Sequence, residues 1–182
     1  MDDQVSQALR VFTQRYIAYW QICTGHPPAS KALFGVSSPC VVDEDEEQVY
    51  WLPRQPECEL TLDGVERALE LQLQPAAQAF YCSQLAGDML VSFDGHPLEL
   101  LQVWSETDAV RIQENLIGHL LMQRRLKLPP TLFIATTDAE LSLVSLSNLT
   151  GEVLLEEIGR KTYSVLAPTL QDFLGRLEPR VL

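Results

Sequence analysis

The sequence predicts an α+β fold: one domain over residues 1–182, with a mainly antiparallel or mixed sheet flanked by helices. Three observations carry this. The predicted elements run helix, hairpin, two short helices, hairpin, long helix, further strands and a closing helix, without the regular strand–helix alternation of a parallel sheet. The 182 residues make one ordinary domain, long enough to bury about 70% of its unfolded surface, and contain neither an internal repeat nor a dividing linker. Asp94-Gly95, set between two apolar runs, is a two-residue hairpin signal.

The first helix is expected from about Gln4 to Cys23. Val5, Leu9, Phe12, Tyr16, Tyr19, Trp20 and Cys23 recur at helical spacing, Asp2 or Asp3 can cap them, and Gly25-His26-Pro27-Pro28 stops the helix. An aromatic row at this spacing reads as a face docked on the core. Cys40-Val41-Val42 and Val49-Tyr50-Trp51-Leu52 bracket the run Asp43 to Glu47 and suggest a hairpin with a charged, solvated tip. That tip lacks the glycine spacing of a calcium-binding loop. Beyond Pro53 to Pro56, Val65, Ala68, Leu69 and Leu71 mark a short helix. Pro75 restarts another, with Ala76, Ala77, Phe80 and Tyr81 facing inward. Met89–Phe93 and Leu98–Trp104 are the arms of the Asp94-Gly95 hairpin.

The centre of the domain is the stretch Gln102 to Thr136. Ser105 with Asp108 three residues on is a capping signature. Ala109, Ile112, Leu116 and Leu120 then form one apolar row, and Val110, Ile117 and Leu121 its neighbour. Together they cover roughly half the helix circumference, a width suited to lying on a sheet. Gln113 points into the apolar face, while Gly118 lies on the opposite side at a cost near 1 kcal/mol relative to alanine. Pro129-Pro130 ends the helix near Leu126–Leu128, and Thr131–Thr136 reads as an interior strand. Leu141–Leu146 follows, with alternation at Leu141, Leu143 and Ser145, then a last strand over Glu152–Glu156. Pro168 opens a closing helix whose Leu170, Phe173, Leu174 and Leu177 share a face.

With 46% hydrophobic residues the chain is globular. No apolar run approaches the ~18–20 residues that cross a bilayer, and Met1-Asp2-Asp3 lacks the basic start of a signal peptide, so a cytosolic or at most peripheral protein is expected. Cys23, Cys40, Cys58 and Cys82 form no C-x-x-C pair and read as buried thiols. The net charge is −12, and it is uneven. Between Cys40 and Asp108 there are 15 carboxylates against Arg54 and Arg67 alone. Such a field repels nucleic acid and anionic lipid and attracts basic partners. Nothing assembles an active site by spacing: there is no phosphate loop, no nucleophile elbow and no metalloprotease pair. His26, His96 and His119 stand alone, and Glu106, Asp108 and Glu114 do not stand out in so acidic a chain. Neither enzyme activity, a metal nor a cofactor is expected.

Several long stretches carry a resemblance: Val65-Glu66-Arg67-Ala68, Ala86-Gly87-Asp88-Met89, Gln113 through Leu120, and Leu126 through Thr136, with Pro39-Cys40, Tyr50-Trp51 and Trp104-Ser105-Glu106 in order. On these the chain resembles the Syd family of SecY-interacting proteins, within the wider SUKH superfamily of α+β folds. The resemblance implies a non-catalytic cytosolic protein that docks on the cytoplasmic loops of SecY, binds SecY that is not properly complexed, and acts as a checkpoint or negative regulator. It also implies an electronegative concave binding face and a peripheral location on the cytoplasmic side of the bacterial inner membrane, reached through SecY. Other superfamily members are toxin-immunity proteins, so the alternative is an immunity protein that blocks a soluble toxin through the same face. The run Asp43 to Glu47 departs from the family pattern and is not expected at the core of the site. The carboxylates expected to bind the partner are Glu66, Asp88, Glu106, Asp108 and Glu114, with Tyr81 and Trp104 offering apolar contact to Arg or Lys stems. A monomer is expected.

Overall fold

The computed structural model describes residues 2–181. Helix α1 spans Asp3–Thr24, capped by the Asp2 side chain, which accepts from the backbone N–H groups of Gln4 and Val5. Val5, Leu9, Phe12, Tyr16 and Trp20 form its buried face. Strands β1 (Ala29–Ser30), β2 (Val41–Glu44) and β3 (Val49–Trp51) make a small antiparallel sheet in the order β1-β3-β2. The short helices α2 (Asp63–Leu69) and α3 (Pro75–Cys82) follow, then the hairpin β4 (Met89–Phe93) and β5 (His96–Leu100). The long helix α4 (Glu106–Arg125) leads to β6 (Thr131–Thr137), β7 (Ser142–Ser147), β8 (Val153–Glu157), β9 (Tyr163–Ala167), helix α5 (Leu170–Gly175) and β10 (Glu178–Pro179).

Seven of these strands form one wholly antiparallel sheet, β10-β4-β5-β6-β7-β8-β9. Helix α1 packs on α3 and α5, while α4 lies on β6 with α2 along its flank. The fold is therefore the expected α+β class, with the sheet antiparallel throughout rather than mixed.

The core rests on a few close fits. Trp51 is 1% exposed and stacks on Tyr16 with ring centroids 6.1 Å apart. Its indole leaves no room at Gly87, where an added Cβ would lie 2.6 Å from Trp51 Nε1. Tyr16 in turn accepts from the backbone N–H of Leu90 on β4 at 3.1 Å. Gln123 joins the end of α4 to the start of β6: its Nε2 donates to Thr131 Oγ1 at 2.7 Å, and its Oε1 accepts from Thr131 N at 2.9 Å.

Several expectations are corrected. The Val110, Ile117 and Leu121 row is core only at Ile117, which packs half-buried against it: Val110 is 57% and Leu121 46% exposed, because the sheet meets α4 on one side only. Ala68 is exposed on α2. On β7 the core face is Val144 and Leu146, with Leu141 outside the strand and exposed. The hairpin's returning strand ends at Leu100, since Gln102 to Trp104 turn away from the ladder to meet the side chains of Asp88 and Asp108. The strand after Asn148–Gly151 is not the last, because β9 and β10 follow. Of the four cysteines, Cys40 and Cys82 are buried but Cys23 and Cys58 are exposed; none is paired. Gln113 is half-buried, its amide oxygen facing Gly64 of α2 rather than the middle of the sheet.

Candidate functional site

The site grows from the β4–β5 hairpin. Asp94 and Gly95, with φ of 49° and 81°, form the tight turn and fix the register Leu90 opposite Glu99 and Met89 opposite Leu100. Met89, Val91, Leu98 and Leu100 are buried, so the pleat turns Leu90 and Glu99 to the other face, together with Asp88 just before β4. There α1, the small sheet and this hairpin enclose a cleft of about 640 Å³. Asp88 and Glu99 line it, with Tyr16, Trp20 and His26 from α1 and its exit, and Lys31 at the rim. Lys31 is drawn to Glu47 at 3.7 Å, which places the acidic hairpin tip beside the opening.

Asp88 is exposed at its tip yet hemmed in by protein. That crowding is the main reason its carboxyl is pushed up to about 7. The backbone N–H of Gln102, which donates to it at 2.7 Å, opposes the shift; Glu99 and Asp108 add to it, and Arg111 opposes it. At the tip of the β2–β3 hairpin, Asp45 accepts from the N–H groups of Glu47 and Gln48 and from the Tyr50 hydroxyl, which hold its carboxyl below the usual range. Part of the acidic run is thus organised rather than free.

The five expected carboxylates are brought together only in part. Asp88 lines the cleft. Asp108 is its neighbour, because both hold the segment 102–104: Gln102 N donates to Asp88, and Trp104 N donates to Asp108 at 2.9 Å. Ser105 caps α4 by accepting from Asp108 N, as the sequence pattern implies, but Asp108 returns the bond to Trp104 rather than to Ser105. Arg111 also grips Asp108, at 2.6 Å. Glu106 is exposed in the same first turn and accepts from Cys58 N at 3.3 Å. Glu66 is half-buried and accepts from Leu73 N at 2.8 Å, tying down the α2–α3 connection. Glu114 stands on the solvent side of α4, apart from the cleft lining.

The two aromatic expectations are corrected outright. Tyr81 and Trp104 are each 2% exposed. The Tyr81 hydroxyl donates to the carbonyl of Phe133, and Trp104 Nε1 donates to the carbonyl of Val36 at 3.0 Å. An aromatic ring with its polar tip satisfied inside is a core residue, and neither can lie against a partner. Glu99, by contrast, is not among the expected site residues, although the hairpin turn alone fixes it opposite Leu90.

His119 is part of the wall between α4 and β6: its ring packs edge-on against Phe133, and burial lowers its pKa. Among the described residues no group of three His, Cys, Asp or Glu side chains is arranged to hold a metal ion, and no helix is long and apolar enough to cross a membrane.

Fold and site together define a single-domain α+β protein whose antiparallel sheet carries an anionic cleft near one edge. Comparison with known sequences narrows this. Residues 6–179 match the family model described as Syd protein (SUKH-2), and the chain belongs to the Syd family. It is 55% identical over 182 residues to Protein Syd of Erwinia tasmaniensis, covering 100% of this chain and 98% of that one. It is 56% identical over 179 residues to Protein Syd of Pectobacterium carotovorum and 55% to that of Yersinia pestis, covering 98% of each chain.

Proposed function

We propose that this protein is a non-enzymatic regulator that docks, through the Asp88–Glu99 cleft, on the basic cytoplasmic loops of SecY, restraining SecY that is not properly complexed. The observation that carries the reading is that two carboxylates, Asp88 and Glu99, line one concavity on the same face of the hairpin, within the family whose resemblance implies such a partner. Cytoplasmic loops of membrane proteins are rich in Lys and Arg, and an anionic concavity is their complement. Glu106 extends the negative field along the first turn of α4, where Arg111 offsets Asp108, and the tip Asp43 to Glu47 adds to it at the rim. Charge-led docking of this kind accelerates encounter and weakens with salt. On this reading the protein reaches the cytoplasmic side of the inner membrane through its partner.

The test is capture of SecY from membranes by the purified protein at low and high salt. Capture should fall as salt rises, and Asp88→Lys with Glu99→Lys should abolish it while the circular dichroism spectrum stays native. Asp88→Asn with Glu99→Gln is the milder pair and should lose most of the capture. Because burial pushes the Asp88 carboxyl up to about 7, wild-type capture should strengthen from pH 6 to pH 8 as it ionises. Undiminished capture by a folded double variant refutes the cleft. Capture of a soluble toxin in place of SecY would favour the immunity reading.

A further inference from the structure

The line of α4 furthest from the sheet has no assigned use. Opposite the buried residues Ala109, Ile112, Leu116, Leu120 and Gln123 run Glu114, Gly118, Leu121 and Arg125, all exposed. Their 4-3-4 spacing averages about 3.7 residues, close to the 3.6 of a straight helix, so the four stay on one line that a second helix can meet over a short crossing. Val110 and the half-buried Ile117 flank the stripe on one side. At Gly118 an added Cβ would meet nothing within 4 Å, so the fold itself does not require the glycine that a helix interior disfavours. The result is a bare notch one turn from an exposed leucine. Among the described residues neither Glu114 nor Arg125 forms an ion pair, whereas Arg111 is paired with Asp108 and Arg124 donates to the carbonyl of Leu69.

The stripe is complementary to itself when reversed. About a two-fold axis between positions 119 and 120, Glu114 faces Arg125 of a second copy and Gly118 faces Leu121, and each pairing occurs twice. We propose that this line is a self-association surface. Two copies pack α4 against α4 in antiparallel fashion, the Leu121 side chain of each seated over Gly118 of the other, with a Glu114–Arg125 pair at either end. Such a contact is isologous and closes on itself. A basic partner would not select this stripe, because it carries both signs of charge. The cleft residues take no part, so the inference stands independently of the docking reading. Three helical turns bury well under the roughly 800 Å² per partner of a standard interface, and the dimer is accordingly weak and concentration-dependent.

Sedimentation velocity on the full chain, from micromolar to millimolar concentration at low salt, tests this. A reversible dimer with a high-micromolar dissociation constant is expected, and Leu121→Glu should abolish it. Glu114→Arg and Arg125→Glu each set like charges together at both ends and should weaken it about tenfold, while the double swap restores it. Gly118→Gln fills the notch with a better helix former, so it should raise the melting temperature while removing the dimer. A chain that stays monomeric throughout, a dimer indifferent to Leu121→Glu or Gly118→Gln, or a double swap that recovers nothing would each overturn the proposal.

Discussion

Gly87 is the point where the core is tightest, and replacing it by alanine is the most informative single change. The new Cβ would lie 2.6 Å from Trp51 Nε1 and 2.7 Å from Trp51 Cε2, about 1 Å inside an ordinary contact of ~3.5–4.0 Å. The indole cannot simply recede, since it is 1% exposed and backed by Tyr16, which itself holds Leu90 N. Overpacking of this kind costs about 1–3 kcal/mol, and the shallow escape routes here place Gly87→Ala at about 2–3 kcal/mol. For a domain of this size that is roughly 4–12 °C off the melting temperature. The assay is thermal and urea unfolding followed by circular dichroism, run as a double-mutant cycle with Trp51→Phe. Phenylalanine removes the pyrrole edge that meets the new methyl, so the two costs should fall short of additivity by about 1–2 kcal/mol. Unfolding of Gly87→Ala within about 0.5 kcal/mol of the parent, or simple additivity of the two substitutions, would refute a clash with the indole. Because Asp88 is the next residue, the same variant should also lower SecY capture under native conditions.

Gln123→Ala should cost about 2–4 kcal/mol by urea unfolding, because it strands the buried Thr131 N–H and leaves a cavity between α4 and β6. Glu156, 8% exposed on β8, has its carboxyl raised above the ordinary 4.5, mainly by burial, and its Oε2 finds no hydrogen-bond partner. The folded state therefore holds this proton more tightly than the unfolded chain does. Its contribution is fully present below the unfolded value and is lost as pH rises through the raised one. Glu156→Gln should accordingly be more stable than the parent at pH 8, with the gain vanishing near pH 4; equal gains at both pH values would refute the assignment.

How much of this was legible in the sequence depends on whether a feature is local. The α1 period, the Asp94-Gly95 turn and the Ser105 cap each state their structure within a few residues, and the fold follows them. Strands β1 and β10 are two residues long and exist only through partners on β3 and β4, so no local signal marks them. Strand β9 is mostly exposed, which blurs its alternation. The apolar residues Val110 and Leu121 obey the helical period but face water, because the period shows which residues share a side and not what covers it. Tyr81 and Trp104 failed as surface residues for a related reason: their polar tips find carbonyls on segments distant in sequence, Phe133 and Val36. Glu66, Glu106 and Asp108 look alike in sequence, yet each accepts a backbone N–H that only the folded chain supplies. Glu99 was readable, since the hairpin register alone places it opposite Leu90, on the face to which Asp88 also turns.

The packing of α1 on α5 has a consequence for the order of assembly. About 150 residues separate Thr24 from Leu170. At synthesis rates of about 5–20 residues per second, the Phe12 region of α1 waits roughly 7–30 s for α5 to be made, whereas Tyr16 already has Trp51 and β4 to pack on. Helix α3 offers a further part of the socket in the meantime. A nascent chain paused between Leu100 and Ala167 therefore presents the α5-facing side of α1, Phe12 included, to the ribosome exit and to whatever holdase stands there. Slowing translation in that window should lower the yield of native protein more than slowing it after Arg180.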